Sequence, residues 1–407
     1  MRISTQSIYN NATSQLNTLQ SALARTQNQL STNRRILTPA DDPVASARAL
    51  EVSQSKEMNS QFATNRASAR SSLAMVEGAL QNAGDLLQDI QQLTVNAGNG
   101  AMQPQDREAL ATELEGRLED LLGVSNMTDG AGGYLFSGYM ATTQPFTRTP
   151  GGAAYQGDQG QRQLQVGASR KIPLSASGAA VFENNPTGNG VFQTQADKAN
   201  KGAAIISSGA VVDRPLANQG RSYELTFSVT GSPAVTTYTV VDASDGSVVP
   251  GHDNQAYEPG KTISFGGLSF DIKGEPADAD VFTVEPSKKQ SVFNTVTDLI
   301  AALRAPADGS TGKAALTNQL NTALDNLKSA HDNVLTVQAS VGAHMKELDY
   351  LDSAGDDLDV QYAATLGDLQ DLDVVKAISD FSMQQTTLQA AQMSFKTMSG
   401  LSLFNYL

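Results

Sequence analysis

Apolar side chains recur every seven residues through the first part of the chain. One row consists of Tyr9, Leu16, Leu23, Leu30 and Leu37, and a second row, three or four positions away, consists of Ala12, Leu19 and Thr26. This a/d pattern predicts an α-helix that buries one narrow stripe against another helix.

A second, much longer helix is predicted to follow the segment TPADDP. Asp42 is well placed to cap this helix and Pro43 to occupy its first turn. The apolar stripe continues without a slip from Phe62 to Thr94, which predicts a helix of about 50 residues and roughly 80 Å. We interpret Asp41 and Asp42 first as helix caps and second as part of a joint between terminal and central helices.

The middle of the chain changes from helical to strand periodicity. The segment NAGNGAMQPQ is predicted to break the long helix, and a shorter helix follows before the glycine-rich TDGAGGYLFSGY. Between about 150 and 285, segments such as YELTFSV, TTYTVV, KTISFGGLSFDI and DVFTVE show a period of two. This stretch is predicted to be an inserted all-β domain.

The C-terminal part returns to the helical pattern. After SVFNTVTDLIAAL and a Pro/Gly loop, one stripe runs from Leu316 to Leu351. The final stripe consists of Ile378, Phe381, Gln385, Leu388, Ala391, Phe395 and Met398. It is out of register with the row before it, and register is lost within LQDLDVV, which predicts a joint.

These patterns together predict a mainly α fold with an inserted all-β domain. Because the order of elements is nearly palindromic, we expect an elongated antiparallel helical bundle, or coiled coil, formed by the N- and C-terminal parts. The predicted domains are a terminal coiled coil (1–41 with 374–407), a long helical rod (42–149 with 286–373) and the β domain (150–285). The residues predicted to pack the terminal helices are Leu16, Leu19, Leu23, Leu30, Phe381, Leu388, Phe395, Leu401, Leu403 and Phe404.

The outer faces of the terminal helices lack the charges that a solvated coiled coil normally carries. Residues 3–33 contain one charged side chain, Arg25, among many Gln, Asn, Ser and Thr residues. A two-helix seam alone also buries too little surface to offset comfortably the conformational entropy that is lost when the helices become ordered. We therefore predict that the terminal helices are mobile in the monomer and fold when they pack against neighbouring subunits.

Composition excludes several classes of partner and site. The net charge of −14 opposes binding to nucleic acid or to anionic membrane surfaces. The chain has no cysteine, so thiol chemistry and disulfides are excluded. No apolar run is long enough for a membrane span, and the first residues lack the apolar core of a secretory signal.

The sequence offers no catalytic, cofactor or metal site that we would name. The three histidines are His252, His331 and His344, none lies in a zinc-binding motif, and His344 occupies a helical core position. The glycine-rich segment lacks the Lys-Ser/Thr of a phosphate loop. Nine carboxylates lie from Glu347 to Asp373. A cation site is one interpretation of them, but helix caps and a solvated helix face explain them better. We predict that the protein is not an enzyme and holds no cofactor.

Several segments resemble a known family. MRISTQSIY, QLSTNRRILTPADDPVASARAL, SNMTDGAGGYLFSGY and LQAAQMSFKTMSGLSLFNYL are similar to bacterial flagellin and, more closely, to the flagellar hook-associated protein 3 family of hook-filament junction proteins. The SLF-Y ending and the β segment ISFGGLSFDIKGEPADADVFTVEPS favour the junction family over flagellin. Two departures concern local turns: Asn33 replaces a usual glycine, and ADAD replaces a more usual Ala-Gly-Asp.

The resemblance implies a structural role in the extracellular flagellum. It implies self-association in the axial structure, with another hook-associated junction protein on one face and flagellin on the other. It also implies type III export without a cleaved signal peptide, aided by a chaperone for the C-terminal region. The alternatives are a flagellin filament subunit, a secreted β-domain binding module on a helical stalk, and an enzyme within the β domain.

Overall fold

The computed structural model describes residues 5–400, which form helices separated by a β-rich middle. The long helices are α1 (Thr5–Thr32), α2 (Pro43–Ala97), α3 (Pro104–Ser125), α5 (Val292–Arg304), α6 (Gly309–Gln370) and α7 (Val374–Gly400), and a single turn, α4 (Arg214–Ala217), lies between β-strands. The predicted breaks after α2, between α5 and α6, and between α6 and α7 are confirmed. The last break spans 371–373, within the segment where heptad register was lost.

The largest sheet is antiparallel, with the strand order β11-β10-β9-β14-β6. Its strands are β6 (Phe192–Ala196), β9 (Tyr223–Thr230), β10 (Val235–Asp242), β11 (Gln255–Ala256) and β14 (Val281–Pro286). A second sheet contains β7 (Ile205–Ile206), β8 (Ala210–Val211), β12 (Thr262–Phe265) and β13 (Leu268–Lys273). The period-two segments therefore form strands, as predicted.

Short antiparallel pairs flank these sheets. They are β1 (Phe146–Thr149) with β2 (Gly152–Tyr155), β3 (Gln163–Gln165) with β4 (Lys171–Pro173), and β5 (Asn185–Pro186) with β15 (Lys289–Gln290). The strands thus begin slightly before and end slightly after the predicted range of 150–285. A π-helical turn (Ala179–Glu183) lies between β4 and β5.

The two main sheets enclose one apolar core. Alternate residues of β9, Tyr223, Leu225 and Phe227, point into it, and Leu225 lies opposite Phe282 of β14. The β-branched and aromatic residues at every second position explain this arrangement, because successive side chains of a strand face opposite sides. The result is the buried face that the period-two pattern predicts.

The chain forms two compact units, and their boundaries fall within α2 and α6. One unit combines the chain up to Thr64 with the chain from Tyr350 onward, and the other runs from Asn65 to Asp349. The first contains α1 and α7, and the second contains the β-strands, α3 and α5. The division into three domains at 41, 149, 285 and 373 stays a prediction.

Both departures from the family pattern lie at left-handed backbone positions. Asn33, just after α1, has φ 55°, and Ala279, just before β14, has φ 64°. Asparagine tolerates this conformation better than alanine does, because its side chain can hydrogen-bond locally. Ala279 is therefore the more strained of the two.

We expect Ala279→Gly to stabilise the β-containing unit by about 1 kcal/mol, because glycine relieves the steric cost of a positive φ. Ala277→Gly, two residues earlier, is the matched control, and its greater unfolded-state entropy should destabilise the unit by roughly 0.5–1 kcal/mol. Urea unfolding measures both changes. Equal destabilisation by the two substitutions would contradict the assignment of strain to Ala279.

Candidate assembly interface of the terminal helices

Helices α1 and α7 pack together as an antiparallel pair. Near the start of α1, the rings of Tyr9 and Phe395 lie 5.2 Å apart. Near its end, Thr26 Oγ1 lies 2.9 Å from Gln384 Oε1. Since the partner residue number falls as the α1 residue number rises, the two helices run in opposite directions.

The seam of this pair contains most of the residues predicted to pack it. Those that are partly buried here are Leu16, Leu19, Leu23 and Leu30 on α1, and Phe381, Leu388 and Phe395 on α7. Leu401, Leu403 and Phe404 lie outside the described residues. The two groups lie on the two helices that pair, and their role in packing against other subunits stays a prediction.

The stripe predicted on α7 is wrong at some positions. Ala377 is buried and Gln384 is partly buried, whereas Ile378 is 53% exposed and Met398 is 48% exposed. The observed row, 377-381-384-388-391-395, keeps the regular alternation of four and three residues. The predicted row also placed Gln385 in the seam, but Gln385 is exposed. From Ile378 to Leu388 the prediction took the steps of three and four in the opposite order to the observed row, and helix geometry rather than residue type decides which positions face the seam.

The faces turned away from the seam are uncharged over long distances. On α1 a shallow groove is lined by Asn10, Thr13, Ser14, Asn17, Thr18 and Ser21. On α7, Val375, Met383 and Met393 are 82%, 66% and 69% exposed. The small polar side chains of α1 and the exposed methionines and valine of α7 are each suited to close packing against another protein.

Asp41 organises the turn between α1 and α2. Its Oδ2 accepts hydrogen bonds from the backbone N–H groups of Leu37 and Thr38, at 2.9 and 2.8 Å. Its Oδ1 pairs with Arg25 Nη2 at 2.6 Å. Arg25, the one charged residue in the otherwise uncharged stretch, thus ties α1 to the turn that follows it.

Asp42 caps α2, whose first residue is Pro43. The Oδ1 atom of Asp42 accepts a hydrogen bond from Ala45 N–H at 3.0 Å, which satisfies a donor that the first helical turn leaves free. Its Oδ2 lies 3.3 Å from Arg35 Nη1.

The joint between α6 and α7 is bonded to the end of α1. Arg35 N–H donates to Gln370 O, and Arg35 Nη2 donates to Leu369 O, both at 2.7 Å. In the other direction, Leu372 N–H donates to Asn33 O at 3.3 Å. We call this set of contacts around Asn33–Asp42 and Leu369–Leu372, together with the Arg25–Asp41 ion pair, the joint. The contacts of Arg25 and Arg35 in it were not predicted from the sequence.

Acid should weaken the joint. Hydrogen bonds from Thr38 and Leu37 N–H, together with Arg25, lower the pKa of Asp41 from its ordinary value of 3.8. The hydrogen bond from Ala45 N–H likewise lowers the pKa of Asp42. Because these carboxylates are bonded in the folded state, their contribution to stability is present above pH 3.8 and is lost as the pH falls through their lowered pKa values.

A carbon-13 NMR titration of the carboxyl groups checks this expectation. The Asp41 resonance, assigned from Asp41→Asn, should titrate below pH 3.8, and Arg25→Gln should move its midpoint upward because a nearby positive charge is lost. A midpoint at or above 3.8 in the wild type would contradict the bonding described for Asp41.

The described part of the chain shows neither a cluster for a metal ion nor a helix that could span a membrane. Among residues 5–400, no three His, Asp or Glu side chains are grouped so that they could hold a metal ion. None of the described helices combines the length and apolar character needed to cross a bilayer.

Comparison with known proteins identifies the family. The profile of the bacterial flagellin N-terminal helical region matches residues 3–141. Flagellar hook-associated protein 3 of Escherichia coli (strain K12) is 28% identical over 405 residues, covering 99% of each chain. The crystal structure of hook-associated protein 3 from Legionella pneumophila has 32% identity and a TM-score of 0.74, and covers 78% of this chain and 98% of that one. This chain belongs to the flagellar hook-associated protein 3 family.

A second structure of the hook-associated protein 3 family agrees. FlgL from Xanthomonas campestris is 29% identical, with a TM-score of 0.70 over 78% of this chain and 99% of that chain. The predicted fold, long terminal helices with a β-rich middle, is confirmed, and so is the predicted function as a structural junction subunit of the flagellum. The family consists of structural flagellar proteins and gives no support to an enzyme.

Proposed function

We propose that this protein joins other hook-associated proteins to the flagellin filament through packing of its terminal helices. The observation that carries the proposal is the α1–α7 pair, whose seam is apolar and whose outer faces carry few charges and are partly apolar. A solvated helix pair would present charged residues there. The outer faces are therefore surfaces for neighbouring subunits in the axial structure.

Other copies of this protein cover part of the outer faces of α1 and α7, and subunits of different proteins cover the rest. A layer of identical subunits covers the sides of each helix pair, while one axial end meets another hook-associated junction protein and the other end meets flagellin. Two similarities support this placement: the whole chain is similar to hook-associated protein 3, and residues 3–141 are similar to the N-terminal helical region of flagellin. The joint gives each terminal pair a defined connection to α2 and α6.

We further propose that the chain works outside the cell and reaches the flagellum unfolded. Export through the flagellar type III apparatus, with a chaperone on the C-terminal region, is what membership of the hook-associated protein 3 family implies. The exposed Val375, Met383 and Met393 of α7 suit a chaperone that binds apolar side chains. The protein is proposed to have no catalytic activity.

Two alternatives make different predictions. A flagellin would extend long filaments from seeds of its own kind, whereas a junction subunit stops after a limited layer. A binding module on a stalk would retain normal motility after deletion of residues 150–285 and would have a specific ligand for that region. The binding-module alternative gives no role to the outer faces of α1 and α7, whereas a filament subunit would cover them as a junction subunit does.

Limited proteolysis of the purified monomer, with mass spectrometry to locate the cuts, tests whether the terminal helices are completed by assembly. We expect rapid removal of roughly the first and last 40 residues and a stable fragment that begins near Asp41. The reason is that a lone pair of helices buries too little surface to offset the conformational entropy lost on ordering. Monomers whose terminal helices resist protease as well as the β domain does would contradict folding on assembly.

A further inference from the structure

The chain contains the tripeptide Gly-Asn-Gly twice, in two different turns. One copy is 98–100, between α2 and α3, and the other is 188–190, between β5 and β6. Asn99 and Asn189 are both exposed, and so are the glycines that follow them, Gly100 and Gly190. Because the local sequence and the exposure are matched, a difference in reactivity between the two asparagines comes from their hydrogen bonds.

An asparagine that precedes a glycine reacts with its own backbone. The backbone nitrogen of the glycine attacks Cγ of the asparagine, so that a C–N bond forms and the Cγ–Nδ2 bond breaks. The proton of the glycine N–H leaves with Nδ2 as ammonia, and the product is a cyclic succinimide. Solvent water then opens the ring to aspartate or isoaspartate. Glycine favours the attack because it has no Cβ to hinder the approach.

The reacting groups at Asn99 are almost unrestrained. Its Oδ1 accepts a hydrogen bond from Ala101 N–H at 3.2 Å, whereas its Nδ2, the leaving group, has no hydrogen-bond partner within the described residues. The attacking N–H of Gly100 likewise donates to no described residue. The backbone bonds from Asn99 N–H to Asn96 O and from Met102 N–H to Asn99 O belong to one short exposed turn, which opens locally at small cost.

The side chain of Asn189 is held by three hydrogen bonds. Its Oδ1 accepts from the N–H groups of Val191 and Phe192, at 3.1 and 3.0 Å. Its Nδ2 donates to Gly209 O at 3.4 Å. The bond from the residue two positions ahead is common to both asparagines, so the bonds to Phe192 and Gly209 are what distinguish Asn189.

The backbone around Asn189 is also fixed. Gly190 N–H, the attacking group of this copy, donates to Thr187 O at 3.3 Å. On the other side, Gly188 N–H donates to Asn326 Oδ1 of α6 at 2.8 Å. Ring closure at Asn189 therefore requires the side chain and the glycine nitrogen to leave their partners together.

We propose that Asn99 is a site of spontaneous deamidation in the folded protein and that the fold protects Asn189. The reaction places a carboxylate in the loop that joins α2 to α3, and its isoaspartate product also lengthens the backbone of that loop by one atom. This modification site is independent of the terminal helices and of the adaptor function.

Incubation of the full chain in oxygen-18 water, followed by peptide mass spectrometry, measures both asparagines in one sample. Label in the product separates deamidation during the incubation from deamidation before it. In the folded chain we expect Asn99 to react at least about tenfold faster than Asn189, because Asn189 must first break its additional hydrogen bonds. In concentrated guanidinium chloride, the two identical tripeptides should react at similar rates.

Gly100→Ala is the matched variant. An added Cβ meets open space at this position and the backbone is not left-handed there, so the fold should be kept. The methyl group should slow the reaction at Asn99 roughly tenfold by hindering the attack, and leave the rate at Asn189 unchanged.

Three results would overturn the proposal. They are equal rates at Asn99 and Asn189 in the folded chain, no labelled product at folded Asn99 over a period in which the unfolded chain is converted, and an unchanged rate at Asn99 in Gly100→Ala.

Discussion

Leu388→Asp is expected to leave flagella without attached filaments. Leu388 lies in the seam between α1 and α7, and a carboxylate placed there loses water without gaining a partner. A cost of about 3 kcal/mol weakens pairing roughly hundredfold, which a two-helix seam cannot absorb. The measurement is the number of filaments per cell, and swimming, in a strain that lacks its own hook-associated protein 3.

Two further variants give this experiment its controls. Leu388→Met conserves volume and apolar character, so it should support filaments. Val235→Asp introduces the same charge at a 54% exposed position of β10 and should also support them. Attached filaments in the Leu388→Asp strain, with the variant present at wild-type amounts in the flagellum, would show that the seam is not needed for the junction.

Phe182→Ala is expected to cost about 3–5 kcal/mol of unfolding free energy in the β-containing unit. Phe182 is fully buried, and its ring lies 5.4 Å from Phe136, 5.6 Å from Phe146 and 5.8 Å from Phe293. Edge-to-face contacts add to the lost apolar burial. This aromatic cluster joins the YLFSGY segment, β1 and α5.

Chemical unfolding by urea measures the change. Tyr139→Ala is the control, because Tyr139 belongs to the same YLFSGY segment but is 67% exposed; its effect should stay within about 0.5 kcal/mol. A loss below 1 kcal/mol for Phe182→Ala would mean that the four rings do not form a single close-packed core.

The sequence predicted the helices well because heptad spacing is a local signal repeated many times. The breaks at NAGNGAMQPQ, APADGSTG and LQDLDVV were visible as glycine, proline or loss of register. The pairing of α1 with α7 followed from the palindromic order. Strand pairing was not predictable in the same way: β6 and β14 are neighbours in the sheet although most of the β domain separates them in sequence.

The joint was predictable only in part. Asp41 and Asp42 stood out because acidic residues before a proline-initiated helix have a local capping role. Arg35 did not, because its partners are the carbonyls of Leu369 and Gln370, and no sequence pattern marks a backbone acceptor more than 300 residues away. The isolated charge of Arg25 was a signal, and its partner Asp41 lay within the segment already singled out.

The glycine replacements show a different limit. Asn33 and Ala279 were recognised as departures only through the family resemblance. Both residues have positive φ values, a backbone conformation that glycine adopts at lower steric cost than asparagine or alanine. A single sequence does not reveal such positions, because asparagine and alanine are compatible with many turn conformations.

The most direct test of the central claim is a crosslink between α1 and α7 in assembled flagella. The chain has no cysteine of its own, so Thr26→Cys combined with Gln384→Cys gives one defined pair, joined by a short bismaleimide. We predict an efficient crosslink within a single chain, and a much weaker one when Gln385→Cys replaces Gln384→Cys, because Gln385 is exposed. Crosslinking that favours position 385, or that occurs only between chains, would contradict the account of the paired terminal helices.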